Sequence, residues 1–183
     1  ELRRYLKMNI IIRQETEKDY EISETVVEKA FKNEVHSDHK EQLLVAKLRK
    51  SNVFVPELSL VAEINEEIVG HIMFTKLLVI DGEIKYGSLV LAPVSVLPEY
   101  QNKGIGSKLI LQGLKISKEM GFESIIVLGH DKYYPRFGFS PASKWGIKAP
   151  FDVPNESFMA LELEDGSLER VTGTVVYSKD FFE

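Results

Sequence analysis

The run from Val94 to Met120, VSVLPEYQNKGIGSKLILQGLKISKEM, constrains the fold more than any other stretch. Val94 and Val96 alternate with Ser95, the pattern of a strand end. Pro98 has no N–H for a ladder and stops the strand. The loop Gln101-Asn102-Lys103-Gly104-Ile105-Gly106-Ser107 then runs straight into a helical period. Ile105, Leu109, Gly113, Leu114 and Met120 fall near one face, with Lys108, Gln112, Lys115 and Lys118 on the other. This order sets a helix N-terminus against a strand end. The first N–H groups of a helix have no internal partner and carry the positive end of its dipole. Gly104 and Gly106 lack a Cβ, so the backbone there can approach a ligand closely. The combination is a phosphate-holding device that needs little side-chain charge.

Two common phosphate loops are excluded by spacing. A P-loop requires GxxxxGK[ST], whereas these glycines are two apart and Ser107 precedes Lys108. A dinucleotide fingerprint requires a third glycine where Leu109 stands. An ordinary tight strand-to-helix connection would also accommodate two glycines. The shared register of strand, proline, Gln101 and helix favours the ligand loop.

What remains is Q-x-x-G-x-G after a strand. It resembles the acetyl-CoA pyrophosphate loop of the GCN5-related N-acetyltransferase (GNAT) family. Downstream, Tyr134-Pro135-Arg136-Phe137-Gly138-Phe139 matches that family's Y-x-x-x-G-F signature. The segments VSVLPEYQ, LGHDKYYPRFGF and PFDVPNESFMALEL look like its YhbS-like subgroup and span most of residues 88–164. The N-terminal third matches only in element order.

The resemblance implies a single-domain α/β (α+β) fold: a mixed, mostly antiparallel sheet with splayed central strands and flanking helices. It implies acetyl-CoA as cosubstrate and a primary amine as acceptor. The pantetheine arm would lie along Val94-Ser95-Val96 and pair with the backbone of Val94 and Val96. Amides of Gln101, Asn102, Lys103, Gly104, Ile105, Gly106 and Ser107 would hold the pyrophosphate, and Lys103 and Lys108 are candidates for the 3′-phosphate. Tyr134 would give its proton to the departing sulfur as general acid, with Tyr133 the less favoured neighbour. The competing reading of Tyr134 is a packing aromatic. Many relatives carry Asn seven residues before this tyrosine; here that residue is Val127.

An amine acceptor must lose a proton. Glu34, His36, Asp38, His39, Glu99, His130 and Asp131 are candidate bases, each also readable as a solvated loop residue or cap. His130 and Asp131 rank first by proximity to the implied sulfur site. Direct attack on a thioester needs no enzyme nucleophile. A reading of another class is a non-catalytic acyl-CoA-binding sensor or scaffold.

Composition trims the field further. The 183 residues suffice for one domain, expected over 8–183, with 1–7 ahead of Met8 as an extension. The absence of cysteine excludes disulfides, thiolate metal sites and cysteine nucleophiles. A net charge of −5 argues against nucleic acid as a partner. No apolar run approaches the roughly 18–20 residues of a membrane span, so no membrane partner is expected. The cytoplasm is the expected location, and a homodimer fits the habit of the family. His36 and His39 have no compact third ligand, so no metal is expected; His71 reads as a structural side chain.

Along the chain, strands are expected at Asn9–Arg13, Leu58–Ile64, Ile68–Leu78, Ser88–Val96, Glu123–Leu128, Phe158–Leu163 and Val171–Tyr177. Pro93 inside a strand predicts a bulge or an unpaired stretch. Thr16 and Asp19 mark one helix start, with Ile22, Val26, Val27, Ala30 and Phe31 as its apolar stripe. Asp38 and Glu41 mark another, with Leu43, Leu44 and Leu48. Pro56 reads as linker. Residues 140–157 read as an ordered loop anchored by Trp145, Ile147, Phe151 and Val153.

Overall fold

The computed structural model describes residues 8–183, so the expected extension at 1–7 lies outside the described residues. Alternating β-branched runs become strands and the 3.6-period runs become helices. The order is β1 (Ile10–Gln14), α1 (Tyr20–Phe31), α2 (Glu41–Arg49), β2 (Phe54–Ile64), β3 (Glu67–Asp81), β4 (Ile84–Val96), α3 (Ile105–Glu119) and β5 (Ser124–Leu128). Short β6 (Ser140–Pro141) and β7 (Ile147–Lys148), then β8 (Phe158–Glu162) and β9 (Gly173–Val176), complete it. The sheet runs β1-β2-β3-β4-β5-β8-β6, with β9 bridging β3 and β7. Its pairs are antiparallel except β4–β5 and β7–β9. The expected mixed, mostly antiparallel sheet with flanking helices is therefore the observed one.

Period-two alternation divides β3 between two faces. Ile72 and Phe74 join Ile105, Leu109 and Ile110 of α3 in the main core. Gly113 lets α3 approach closely, since a Cβ there would meet the Phe74 ring at 2.2 Å. Met73 faces the other way and packs with Val27, Val45 and Leu48 of α1 and α2. A further cluster, Leu77, Val79, Val90, Ile126, Ala160 and Val175, extends this sheet towards β9. Each buried Val, Leu, Ile, Phe or Met side chain contributes about 1.5–3 kcal/mol.

Several local expectations are corrected. Pro56 lies inside β2, exposed, where pairing to β3 lapses between Phe54 and Ser59, so its missing N–H removes no ladder bond. Ile22, Leu43 and Met120 are exposed, while Ser23 is buried with the expected Val26 and Val27 on α1, and Val45 with the expected Leu48 on α2. Asp38 does not cap α2: its carboxylate accepts from the Lys40 N–H at 2.9 Å, closing the turn before the helix. The Thr16–Asp19 start holds, with the Asp19 carboxylate accepting from the Thr16 N–H at 2.8 Å. Asn65 and Glu66 both have positive φ, 51° and 66°, the two-residue hairpin that matches strand twist. Phe151 is more than a third exposed and does not anchor its loop in the core, whereas Ile147 is buried.

Candidate active site

β4 and β5 pair over one short stretch, Leu89 opposite Ile125 and Val90 opposite Ile126. Beyond it, Ile72 faces Val94 and Phe74 faces Leu91, so Ala92 and Pro93 together oppose Met73. This is the bulge expected from Pro93, and it bends β4 away from β5. On its other edge β4 stays paired to β3, with Ser95 opposite His71 and Val96 opposite Gly70. The Leu97 N–H donates to the Val69 carbonyl at 2.8 Å. Antiparallel ladders alternate, so Leu97 and Ser95 aim their backbone groups at β3, and Val94 and Val96 aim theirs into the gap. Gln101 reports the same direction: its Nε2 donates to the Val96 carbonyl at 3.0 Å. That carbonyl keeps a second lone pair. Ser95 offers no main-chain group to the gap, and its Oγ is buried without a partner among the described residues.

The loop into α3 is built to leave donors free. Asn102 and Gly104 adopt left-handed φ of 61° and 81°. The Lys108 N–H makes the first helical bond, to the Gly104 carbonyl at 3.1 Å. The amides of Ile105, Gly106 and Ser107 precede that bond, and no side chain caps the helix. Left-handed residues next to right-handed ones turn successive N–H groups into an anion-binding concavity. Ile105 is buried and anchors the loop, while Gln101, Asn102, Lys103 and Gly104 are exposed. Gly106 is helical, and a Cβ there would make only an ordinary contact, 3.4 Å from the Tyr133 hydroxyl. Lys103 sits over the Tyr100 ring, 5.6 Å from its centroid.

The phenols lie just past the end of β5. A 3-10 turn at Tyr134–Phe137 closes on Gly138, whose φ is 100°. The Tyr134 ring meets Tyr133 and Phe139 edge-on, with centroids 5.2 and 5.7 Å away. It also rests flat on Gly129, where a Cβ would stand 2.3 Å from Cε2. The residue is 7% exposed, and its hydroxyl has no hydrogen-bond partner among the described residues. Burial, reinforced by Tyr133, raises its pKa, so the phenol keeps its proton throughout the physiological range. The Tyr133 hydroxyl instead lies 3.3 Å from Ser107 Oγ, tying this turn to the start of α3.

The base candidates are scattered. His130 and Asp131 face each other at 3.4 Å with side chains 74% and 40% exposed. The His130 carbonyl accepts from the Tyr133 N–H at 3.1 Å, so its backbone helps build the tyrosine turn. Glu34, His36, Asp38, His39 and Glu99 are exposed surface residues. Among the described residues no group of three or more His, Asp or Glu side chains gathers in a metal-holding arrangement. Gly129 and the tie between Gln101 and Val96 escaped the sequence reading. A glycine directly after a strand was the available signal for the first.

An open strand edge, an uncapped helix start and a proton-bearing phenol lie at one end of the sheet. The chain belongs to the acetyltransferase (GNAT) family, whose sequence profile matches residues 12–139. It is 43% identical to the uncharacterized N-acetyltransferase YjhQ of Escherichia coli K12 over 119 residues, 64% of this chain and 65% of that protein. The chain thus spans just under two thirds of that relative's length. Its fold matches the crystal structure of YhbS, a GNAT family N-acetyltransferase from Escherichia coli, in complex with CoA. The TM-score is 0.86 at 26% identity, over 96% of this chain and 93% of that one. A Brucella melitensis GNAT family acetyltransferase in complex with acetyl-CoA aligns with a TM-score of 0.78 at 34% identity, over 95% of this chain and 99% of that one.

Proposed function

We propose that this protein is an acetyl-CoA-dependent N-acetyltransferase that passes the acetyl group directly to a primary amine. The observation that carries the reading is the gap itself. Val94 and Val96 turn backbone groups away from β3 and into it, and the amides that start α3 stand at its end. The CoA and acetyl-CoA complexes of the two structural relatives support the same cosubstrate. Acetyl-CoA supplies an activated acyl group and a thiol leaving group. Val94 and Val96 orient the pantetheine arm as an added strand would be oriented. Amides from Gln101 to Ser107 hold the pyrophosphate by charge-assisted hydrogen bonds. The amine nitrogen forms the C–N bond as the C–S bond breaks. Tyr134 gives its proton to the sulfur and regains one from solvent, which also receives the proton leaving nitrogen.

Isothermal titration with acetyl-CoA tests the binding half; no heat at millimolar ligand would sink it. Tyr134→Phe tests the chemical half. Removing a positioned acid lowers the chemical step by roughly 10²–10⁴-fold, with acetyl-CoA affinity retained. An unchanged single-turnover rate would remove Tyr134 from the mechanism. The non-catalytic acyl-CoA sensor differs in a simple way: it binds acetyl-CoA yet releases no thiol with any amine. A tyrosine whose ring is buried, with no hydrogen bond to its hydroxyl among the described residues, favours the enzyme.

A further inference from the structure

On the face of the sheet away from α3, a cavity of about 210 Å³ opens where β4 and β5 part. Ala92 of the bulge and Leu128 at the end of β5 form one side, and Phe151, Tyr177, Phe181 and Phe182 the other. The rings are arranged around Tyr177. Phe151 stacks on it at 5.8 Å with 23° between planes, and Phe182 meets it edge-on at 6.0 Å. Burial pushes the Tyr177 phenol up to about 12, so it remains neutral. Among the described residues no carboxylate and no cation lines the space. Leu128, Phe151 and Phe182 are 44%, 37% and 65% exposed, a concentration of wet apolar surface at the mouth. Such surface is costly to hold open unless something covers it.

We propose that this cavity is the acceptor site and that it selects small primary amines bearing one aromatic ring. The inference rests on the acetyl-transfer reading above and names its acceptor class. Position is the first argument. Ala92 and Leu128 line both the cavity and the parting of β4 from β5, and Gly129, the seat of Tyr134, follows Leu128 directly. Tyr134 belongs to the α3-side core and the cavity rings pack against the opposite cluster, so cosubstrate and acceptor reach the gap from different faces. Size is the second. An apolar cavity of about 150 Å³ holds a benzene, so this one, at about 210 Å³, encloses a ring with a short linker. Charge is the third. An ammonium entering here finds no counter-ion, and desolvation favours its neutral, nucleophilic form. A polyamine would leave its further charges unpartnered.

The test uses phenethylamine, ethylamine and spermidine. Calorimetry on the CoA-loaded protein measures binding, and thiol release from acetyl-CoA measures transfer. Phenethylamine should bind, with kcat/KM about 10- to 100-fold above ethylamine and spermidine. Leu128→Glu, at a partly exposed position, should cut that value about tenfold or more, and Leu128→Met should restore it. Thermal melting and acetyl-CoA titration of both variants report whether they are folded. Equal use of the three amines overturns the inference, as does indifference to Leu128→Glu. Phenethylamine binding that Leu128→Glu abolishes, without thiol release, supports the cavity and overturns the transferase reading. Neither binding nor transfer of phenethylamine overturns the cavity, while the acetyl-CoA titration still reports on the cosubstrate site. A dimer that Phe182→Ser splits on sedimentation, with no amine preference, assigns the face to a second copy instead.

Discussion

At the scale of single residues, the site depends on how Tyr134 is seated. Its ring lies where any side chain at Gly129 would be, 2.3 Å from a built Cβ. Gly129→Ala should therefore force the ring aside or shift the turn. Overpacking of this kind costs about 1–3 kcal/mol, and thermal melting would read it. Because the displaced phenol loses its aim, the chemical step should fall as it does for Tyr134→Phe, while acetyl-CoA affinity holds. A melting loss without a rate loss would separate the seat from the chemistry. Tyr134 was legible in the sequence as a candidate because Y-x-x-x-G-F is a local pattern with fixed spacing. Gly129 was not, since its role appears only when the chain folds back five residues later. Tyr177 and Phe181 were still less legible as lining of the proposed acceptor cavity. They lie some fifty positions beyond Leu128, and nothing local announces that they return to the end of β5.

At the scale of elements, the sequence was most readable where backbone chemistry alone sets the outcome. Pro93 cannot sit quietly in a ladder, and the bulge stands where it does for that reason. The glycine-led start of α3 follows the same logic, with Gly104 held at φ 81°. Nothing among the described residues lies within 4 Å of where a Cβ would stand, so the requirement is conformational and not steric. Gly104→Ala should cost about 1–2 kcal/mol in that left-handed geometry. If the loop relaxes to escape it, the free amides turn away, and the acetyl-CoA dissociation constant should rise about 5- to 30-fold. Titration calorimetry checks this; an unchanged constant in a folded variant would mean that the amides do not hold the pyrophosphate. The helix faces were read less well. Ile22 and Leu43 have the spacing of buried residues, yet Ser23 and Val45 turn inward. Helical period gives a stripe, but which edge of it meets the sheet depends on docking that no local pattern encodes.

At the scale of the whole molecule, the helices over one face are tied to the sheet by charge as well as by apolar packing. Glu15, just past β1, receives two hydrogen bonds from Arg49 of α2, at 3.1 and 2.7 Å. Ser59 of β2 donates to it at 2.8 Å, and His71 Nε2 of β3 lies 3.3 Å away. Arg49 also reaches Glu24 of α1 at 2.8 Å and covers the Tyr20 ring. The Glu15 and His71 side chains are wholly enclosed, and Arg49 is 4% exposed. His71 is structural, as its sequence context indicates, but its carboxylate partner lies fifty-six positions away and was invisible there. Burial by itself would push the Glu15 carboxyl up; its attraction to His71 and the hydrogen bonds from His71 and Arg49 outweigh this and bring it down to about 2. A depressed carboxyl contributes stability that is complete above its unfolded value of 4.5 and is lost as pH falls towards 2. At 1.36 kcal/mol for each unit, the amount is on the order of 3 kcal/mol. The chain holds 28 acidic residues, so acid unfolding of the native protein alone cannot isolate one of them. Glu15→Gln can, because it keeps the size and does not titrate. Urea unfolding should place the variant roughly 3–5 kcal/mol below the native protein at pH 7, the cost of leaving Arg49 without its buried partner. Between pH 5 and pH 2 that difference should shrink by about 3 kcal/mol, as the native carboxyl takes up the proton the variant never binds. A difference that stays constant across the window would mean that Glu15 acts in the fold by shape and hydrogen bonding, and not by its charge.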